Sequence, residues 1–180
     1  MLLEVKNLRK VFTVGLFKRR EIVAVNNVSF QVKPGEFLSL VGESGSGKTT
    51  AARMVLKLLR PTSGSITFEG RDVLGLRRLE ELRGYWKQVH GIFQDPYASF
   101  NPLHKIDRVL HQVFTLIEDS GVDRESMVNE ALREVGLPPG DVLGRYPHEL
   151  SGGQRQRIMV ARCYLLRPKL ILADEPISMI

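Results

Sequence analysis

Gly42-Glu43-Ser44-Gly45-Ser46-Gly47-Lys48-Thr49 fits the pattern G-x-x-x-x-G-K-[ST], a spacing whose chemistry is the holding of a phosphate chain. Glycines let the backbone curl with its N–H groups pointing inward. The helix that must follow adds positive potential at its first turn, so loop and helix together cradle phosphate oxygens. Lys48 can reach the outer phosphates as a point charge, and the Thr49 hydroxyl is placed to ligate Mg²⁺.

Two further groups carry chemistry. Asp174 and Glu175 follow the apolar run Leu170-Ile171-Leu172-Ala173. Adjacent strand residues point to opposite sides, so the two acids need not share a role. Asp174 suits Mg²⁺ or its water network, and Glu175 can polarise an attacking water, a contribution of ~10²–10⁴ in rate. Leu150-Ser151-Gly152-Gly153-Gln154 stands immediately before a helical segment. Two glycines and a small hydroxyl there expose backbone N–H groups at another positive helix end. An ordinary N-cap serine in a tight turn is the plainer reading of the same residues.

These groups need elements to position them. Leu3, Val5 and Leu8, then Ile22–Val25 and Val28–Val32, alternate as strands do. Pro34-Gly35 marks a turn, and Phe37–Val41 is a short apolar run of the kind found in buried strands. Apolar positions predict a helix from Thr49 to Leu59, ended by Pro61. Ile106, Val109, Leu110, Val113, Phe114 and Ile117 fall on one helical face. A second helix is expected over about 126–135 before Gly136, and a third from Gly153 to Leu166, stopped by Arg167-Pro168. Leu170–Ala173 reads as a buried parallel strand that delivers Asp174 and Glu175 at its C-terminal end, the edge where open α/β sheets bind ligands.

The composition fits this picture. A chain of 180 residues buries roughly 70% of its unfolded surface. With 43% hydrophobic and 26% charged residues it has the make-up of an ordered globular protein. No apolar run approaches the ~20 residues of a membrane span, and Glu4 and Lys6 interrupt any secretory leader. One cysteine, Cys163, excludes an internal disulfide, and the four histidines are scattered. Of the net charge of +6, the first 60 residues alone carry 11 Lys/Arg against 4 Asp/Glu. Such a bias suits an anionic partner or a solvated surface equally well.

The string LSGGQ, with ESGSGKTT upstream and LILADEP downstream, resembles the nucleotide-binding subunit of ATP-binding cassette (ABC) transporters. That resemblance covers essentially the whole chain. It implies an α/β fold: a P-loop NTPase core (1–94 and 151–180) with an N-terminal antiparallel β subdomain and an inserted α-helical subdomain (about 95–150). It implies ATP and Mg²⁺ as cofactors, with ATP held by Gly42, Ser44, Gly45, Ser46, Gly47, Lys48, Thr49 and Thr50. Phe12 takes the place of the aromatic that stacks on adenine, although the family more often has tyrosine there. Gln94, in IFQDP, looks like the glutamine that touches Mg²⁺ and the attacking water. The metal ligands implied are Thr49, Gln94 and Asp174, and the catalytic residues Glu175, Gln94 and Lys48. Two cassettes would close head-to-tail around two ATP molecules. Ser151, Gly152, Gly153 and Gln154 of one would then meet the γ-phosphate held by the other, with Arg157 near the interface.

QDPYASFNP and RYPHELSGGQRQRI narrow the resemblance to the oligopeptide/dipeptide/nickel importer group. Implied partners are a second ABC ATPase subunit, membrane permeases docking near Tyr97 and, indirectly, an extracytoplasmic substrate-binding protein, with no nucleic acid. The implied location is the cytoplasmic face of the cell membrane, peripherally bound. Peptides are the implied cargo, with nickel or oligosaccharide as alternatives. A same-fold ATPase acting on nucleic acid or the ribosome is the competing class. Only some fifty residues separate Gln94 from Leu150, and no sustained heptad fills them. Family members continue with an aspartate directly after the position of Ile180 and supply a histidine further on. The resemblance therefore predicts a C-terminally truncated cassette that alone turns over little ATP.

Overall fold

The computed structural model describes residues 1–15, 19–92, 100–117, 121 and 123–174. The chain divides into two compact units, Met1–Leu82 and Arg83–Ile180.

The first unit is built on a four-stranded antiparallel sheet. Strands β1 (Leu3–Val14) and β2 (Arg20–Val32) pair along their whole length, and β3 (Ser63–Phe68) and β4 (Arg71–Asp72) extend the sheet in the order β2-β1-β3-β4. The two apolar stretches expected as separate strands, Ile22–Val25 and Val28–Val32, form one long strand. Register shifts along β1 let them share it. At the shift Asn7 is left-handed (φ 48°), and its N–H donates to Ser29 Oγ at 2.8 Å. Leu3, Val5 and Leu8 are buried, with Phe68 and Ile66 of β3 beside Leu3 and Val5.

Helix α1 (Lys48–Val55) begins one residue before the expected start and stops short of Leu59. Its end is set by hydrogen bonds rather than by Pro61. Leu58 N donates to Arg53 O and Lys57 N to Met54 O, the paired bonds of a Schellman motif. The left-handed position is Lys57 (φ 57°), where glycine is usual. The Lys57 ammonium donates to the carbonyls of Val73 (2.6 Å) and Leu74 (2.9 Å), tying that residue in place.

Phe37–Val41, expected as a buried strand, is neither a strand nor buried. Phe37 is 93% exposed and Val41 92%. An apolar run becomes a parallel strand only when neighbouring strands satisfy its amides, and among the described residues none pairs with it.

The second unit holds helices around one apolar core, with a two-stranded parallel sheet. Strands β5 (Val89–Ile92) and β6 (Leu170–Ala173) pair from Val89↔Leu170 to Ile92↔Ala173. β6 is parallel as expected, but it is covered on one side only, with Ile171 48% exposed. Helix α2 (Leu79–Gln88) runs directly into β5, and between the strands lie α3 (Ile106–His111), α4 (Arg124–Glu134), α5 (Pro139–Val142) and α6 (Gly152–Leu166). The apolar face starting at Ile106 stays helical only to His111, then tightens into a 3₁₀ turn over Gln112–Thr115. Ile106, Leu110, Val113 and Phe114 are nonetheless buried as the periodicity requires. Helix α4 starts at Asp123, whose carboxylate accepts from Ser126 N. It ends in a Schellman motif at Gly136 (φ 69°). Helix α6 ends at Arg167, left-handed (φ 47°), directly before Pro168.

Candidate functional site

The glycine loop runs from Gly42 into α1. Ser46 N donates to Glu43 O at 3.2 Å, closing a turn with Gly45 at φ 80°, a backbone region that glycine enters at no steric cost. Gly47 (φ 95°) is the N-cap of α1. A Cβ at Gly47 would stand 2.1 Å from the Ala24 carbonyl oxygen, so the loop lies directly against β2 and admits no side chain there. The first helical bond is Ala51 N to Gly47 O (2.8 Å). The amides of Lys48, Thr49 and Thr50 precede it and form the positive end of the helix. No side chain caps that end and no acid stands in the first turn.

Lys48 bends back over its own loop, donating to Gly42 O at 2.7 Å and Glu43 O at 2.8 Å. Its ammonium thus already sits at the loop's rim. Phe12 lies on β1 opposite Ile22 of β2, and Ile22 is two residues from Ala24, the point where the loop touches that strand. The exposed Phe12 (37%) is thus paired two residues along β2, about 7 Å of strand rise, from the level at which the loop touches that strand. The Lys10 ammonium stands 5.0 Å from the ring centroid of Phe12 and is fixed by a 2.7 Å bond to the Arg60 carbonyl. Lys10 and Ile22 were not singled out by the sequence. Each becomes notable only through its cross-strand place.

The second unit carries the Ser151 turn. Ser151 Oγ accepts from Gln154 N (3.2 Å), and Gln154 Oε1 accepts from Ser151 N (2.9 Å). The plainer reading of this serine is therefore realised as a full capping box. The two readings are compatible, because the cap consumes Gln154 N and leaves the glycine amides of positions 152 and 153 at the helix mouth. The hydroxyl hydrogen of Ser151 also stays available as a donor. Arg157, expected near an interface, donates to Gly136 O at 3.4 Å, at the end of α4.

Behind this turn sits a residue the sequence did not reveal. Arg155 is 3% exposed, and its Nη1 donates to the carbonyls of Pro147 and Leu150, both at 2.8 Å. On β5, burial, with a smaller push from Arg162 of α6, lowers the pKa of His90 to about 4. Burial likewise raises the Cys163 thiol to about 11. Cys163 packs in the core, as expected for a lone buried cysteine.

Asp174 follows β6, and its N–H continues the ladder to Ile92 O at 2.8 Å. Gln94, Tyr97 and Glu175 lie outside the described residues. Phe12 and residues 42–50 thus belong to the first unit, and Ser151–Gln154 and Asp174 to the second.

Known proteins share this chain's sequence and fold. It is 43% identical over 187 residues to the oligopeptide transport ATP-binding protein AppF of Bacillus subtilis, spanning 98% of this chain and 55% of AppF. It is 46% identical to OppF of Streptococcus mutans, an oligopeptide transport ATP-binding protein, over 98% of this chain and 57% of OppF. The same identity holds against DppF of Lactococcus lactis, a dipeptide transport ATP-binding protein, over 97% of this chain and 56% of DppF. The chain thus spans about half the length of these relatives. Among solved structures, the dimeric post-hydrolysis state of the ATP-binding cassette MJ0796 bound to ADP and Pi superposes with a TM-score of 0.88. That structure is 27% identical, with 99% of this chain and 76% of that chain covered. The likeness carries the fold, an α/β cassette with an antiparallel sheet. A family profile described as ABC transporter matches residues 25–178 and so runs through the glycine loop, the capped serine turn and the strand before Asp174. By that match, the chain belongs to the ABC transporter family.

Proposed function

We propose that this protein is an ATP-binding and ATP-hydrolysing subunit that energises peptide import through an ABC transporter. The observation that carries the reading is the mouth of α1: a glycine loop pressed against β2, ending in an uncapped, acid-free positive helix start beside Lys48. Phosphate is the ligand class such a mouth favours. Adenine would rest on Phe12, and Gly42, Ser44, Gly45, Ser46, Gly47, Lys48, Thr49 and Thr50 would hold the phosphates. Relatives named for oligopeptide and dipeptide transport support the cargo class.

The donor set fits Mg²⁺. Thr49 offers a hydroxyl, Asp174 a carboxylate and Gln94 an amide oxygen, all hard oxygen ligands. Bound there, the ion would neutralise charge on the phosphate oxygens. Glu175 acts as the base that polarises water, and Gln94 helps orient it.

The working unit is a pair of such ATPases, identical or different, joined to permeases on the cytoplasmic face of the membrane. A substrate-binding protein acts indirectly from the other side. Among the described residues no helix is long and apolar enough to cross a membrane. Residues 1–94 and 151–180 form the ATPase core, and about 95–150 the helical subdomain that meets the permease. Ser151–Gln154 of one subunit engage the γ-phosphate held by the other. Because that contact exists only when the pair is closed, ATP shifts the pair toward closure by its differential affinity.

The test is Glu175→Gln in the purified full-length protein. ATP should then produce a long-lived dimer on size exclusion, while the parent hydrolyses and stays monomeric. Wild-type turnover by Glu175→Gln would sink the assignment of the base, and failure of either form to bind ATP would sink the reading as a whole.

A further inference from the structure

We propose that Arg155 is a positioning residue for the serine turn, holding Leu150–Gly153 in the one geometry that presents its amides to a phosphate. This rests on the ATP-dependent pairing set out above and assigns the device behind it. Arg155 stands four residues after the N-cap Ser151. Helix side chains tilt toward the N-terminus, so this one runs back under the mouth of its own helix. There Nη1 donates at 2.8 Å to Pro147 O and at 2.8 Å to Leu150 O, within a guanidinium side chain only 3% exposed.

The Leu150 carbonyl precedes the first acceptor of α6, since Arg155 N bonds to Ser151 O, and so lies outside the helical ladder. Leu150 itself is extended (φ −109°, ψ 148°) and 4% exposed. The 3₁₀ turn Pro147–Glu149 is closed at its far end by Glu149 Oε2 accepting from Tyr146 N. One side chain of α6 therefore fixes both ends of the short approach to Ser151.

A stability role alone does not account for the choice of arginine. A cation at a helix N-terminus opposes the macrodipole, and a buried charge carries a desolvation cost that a neutral donor would avoid. Both unfavourable effects become useful if the mouth must receive an anion. The same guanidinium that pins the turn adds positive potential beneath the Gly152 and Gly153 amides.

The experiment uses the purified protein carrying Glu175→Gln, comparing Arg155, Arg155→Met and Arg155→Lys well below their melting temperatures. A fluorescent ATP analogue reads the glycine loop at monomer concentrations, and sedimentation reads ATP-dependent dimerisation. Expected for Arg155→Met is analogue affinity within about twofold of parent, with dimerisation weakened at least about tenfold, equivalent to ~1.4 kcal/mol. Arg155→Lys, whose ammonium can still donate to two carbonyls, should recover to within about threefold. A folded Arg155→Met that dimerises within about twofold of parent overturns the proposal. If Arg155→Met does not fold, Arg155→Gln decides by the same thresholds, since it keeps a donor but removes the charge. Absence of an ATP-dependent dimer in the Arg155 parent overturns the pairing itself, and this assignment with it. A dimer in the parent that persists unchanged in the variants overturns the assignment alone.

Discussion

The Lys48 ammonium and the Gly42 carbonyl oxygen lie 2.7 Å apart. A second bond to Glu43 O at 2.8 Å holds the same ammonium, so the loop's one lysine spans it from end to end. Binding a phosphate chain exchanges neutral carbonyl acceptors for charged oxygens, and charge-assisted bonds are roughly twice as strong. Lys48→Met should therefore lower ATP turnover by about 10²-fold or more. The thermal melt should shift little, because both acceptors are exposed to water. Retained turnover in a malachite green assay would show that another cation serves the phosphates.

Gly47 and Gly45 are both left-handed, and they should respond differently to alanine. At Gly45 (φ 80°) nothing lies within 4 Å of an added Cβ. Gly45→Ala should thus cost only the backbone strain, about 1–2 kcal/mol. Gly47→Ala adds a collision with the Ala24 carbonyl oxygen at 2.1 Å. The total should reach about 2–5 kcal/mol, with nucleotide binding lost because the loop must lift off β2. Urea melts of the two variants, together with analogue binding, make the comparison. Equal losses would mean that contact with β2 is not what shapes the loop.

Ser151 offers a separation of cap from ligand. Aspartate caps helices as well as serine does, so Ser151→Asp should keep stability within about 0.5 kcal/mol, whereas Ser151→Ala should lose about 1 kcal/mol. Pairing should rank the other way. The carboxylate repels an incoming phosphate, so Ser151→Asp should abolish ATP-dependent dimerisation while Ser151→Ala retains part of it. Parallel loss of melting temperature and dimerisation across the two variants would reduce Ser151 to a cap.

His90 makes the fold sensitive to acid. Burial, and after it the charge of Arg162, holds its pKa at about 4, below the ordinary 6.5. The neutral ring is the form that fits, so the unfolded chain binds the proton first. Stability should be complete above pH 6.5 and fall as pH drops from 6.5 toward 4, by about 3 kcal/mol in all. His90→Leu should flatten that part of the curve. Equal slopes for parent and variant between pH 7 and 5 would assign the acid sensitivity to other groups.

Cys163 is 5% exposed, and burial raises its thiol to about 11. Little thiolate then exists near pH 8, so labelling by iodoacetamide should be slow in the native protein and fast in urea. Rapid native labelling would mean that α6 opens locally.

The elements read most directly from sequence are those whose ends are chemically marked. The glycine loop, the Ser151 cap, Gly136 and Arg167-Pro168 all stand where their residue types require. Phe37–Val41 departs from its expected strand because an apolar run records burial potential and not which strands will pair with it. Helix α1 was drawn too long because its stop is a left-handed lysine, a role that composition assigns to glycine. Arg155 escaped notice for a related reason: arginine is mostly exposed, and its burial under a turn depends on where the chain comes back, which spacing alone does not record. The site followed the same division. Groups that act through backbone, such as Gly47 and Ser151, were legible, whereas those that act through neighbours across strands, such as Lys10 and Ile22, were not.

The bond from Asp174 N to Ile92 O (2.8 Å) has a mechanical consequence. Strands β5 and β6 end flush, Ile92 opposite Ala173, so the acid leaves one strand at the level where the other strand ends. A load that separates the two strands from this end meets this last rung before any other. A parallel ladder under such load opens from its end, one bond at a time. The backbone of Asp174 is thereby the part of this ladder whose position such a load would change first.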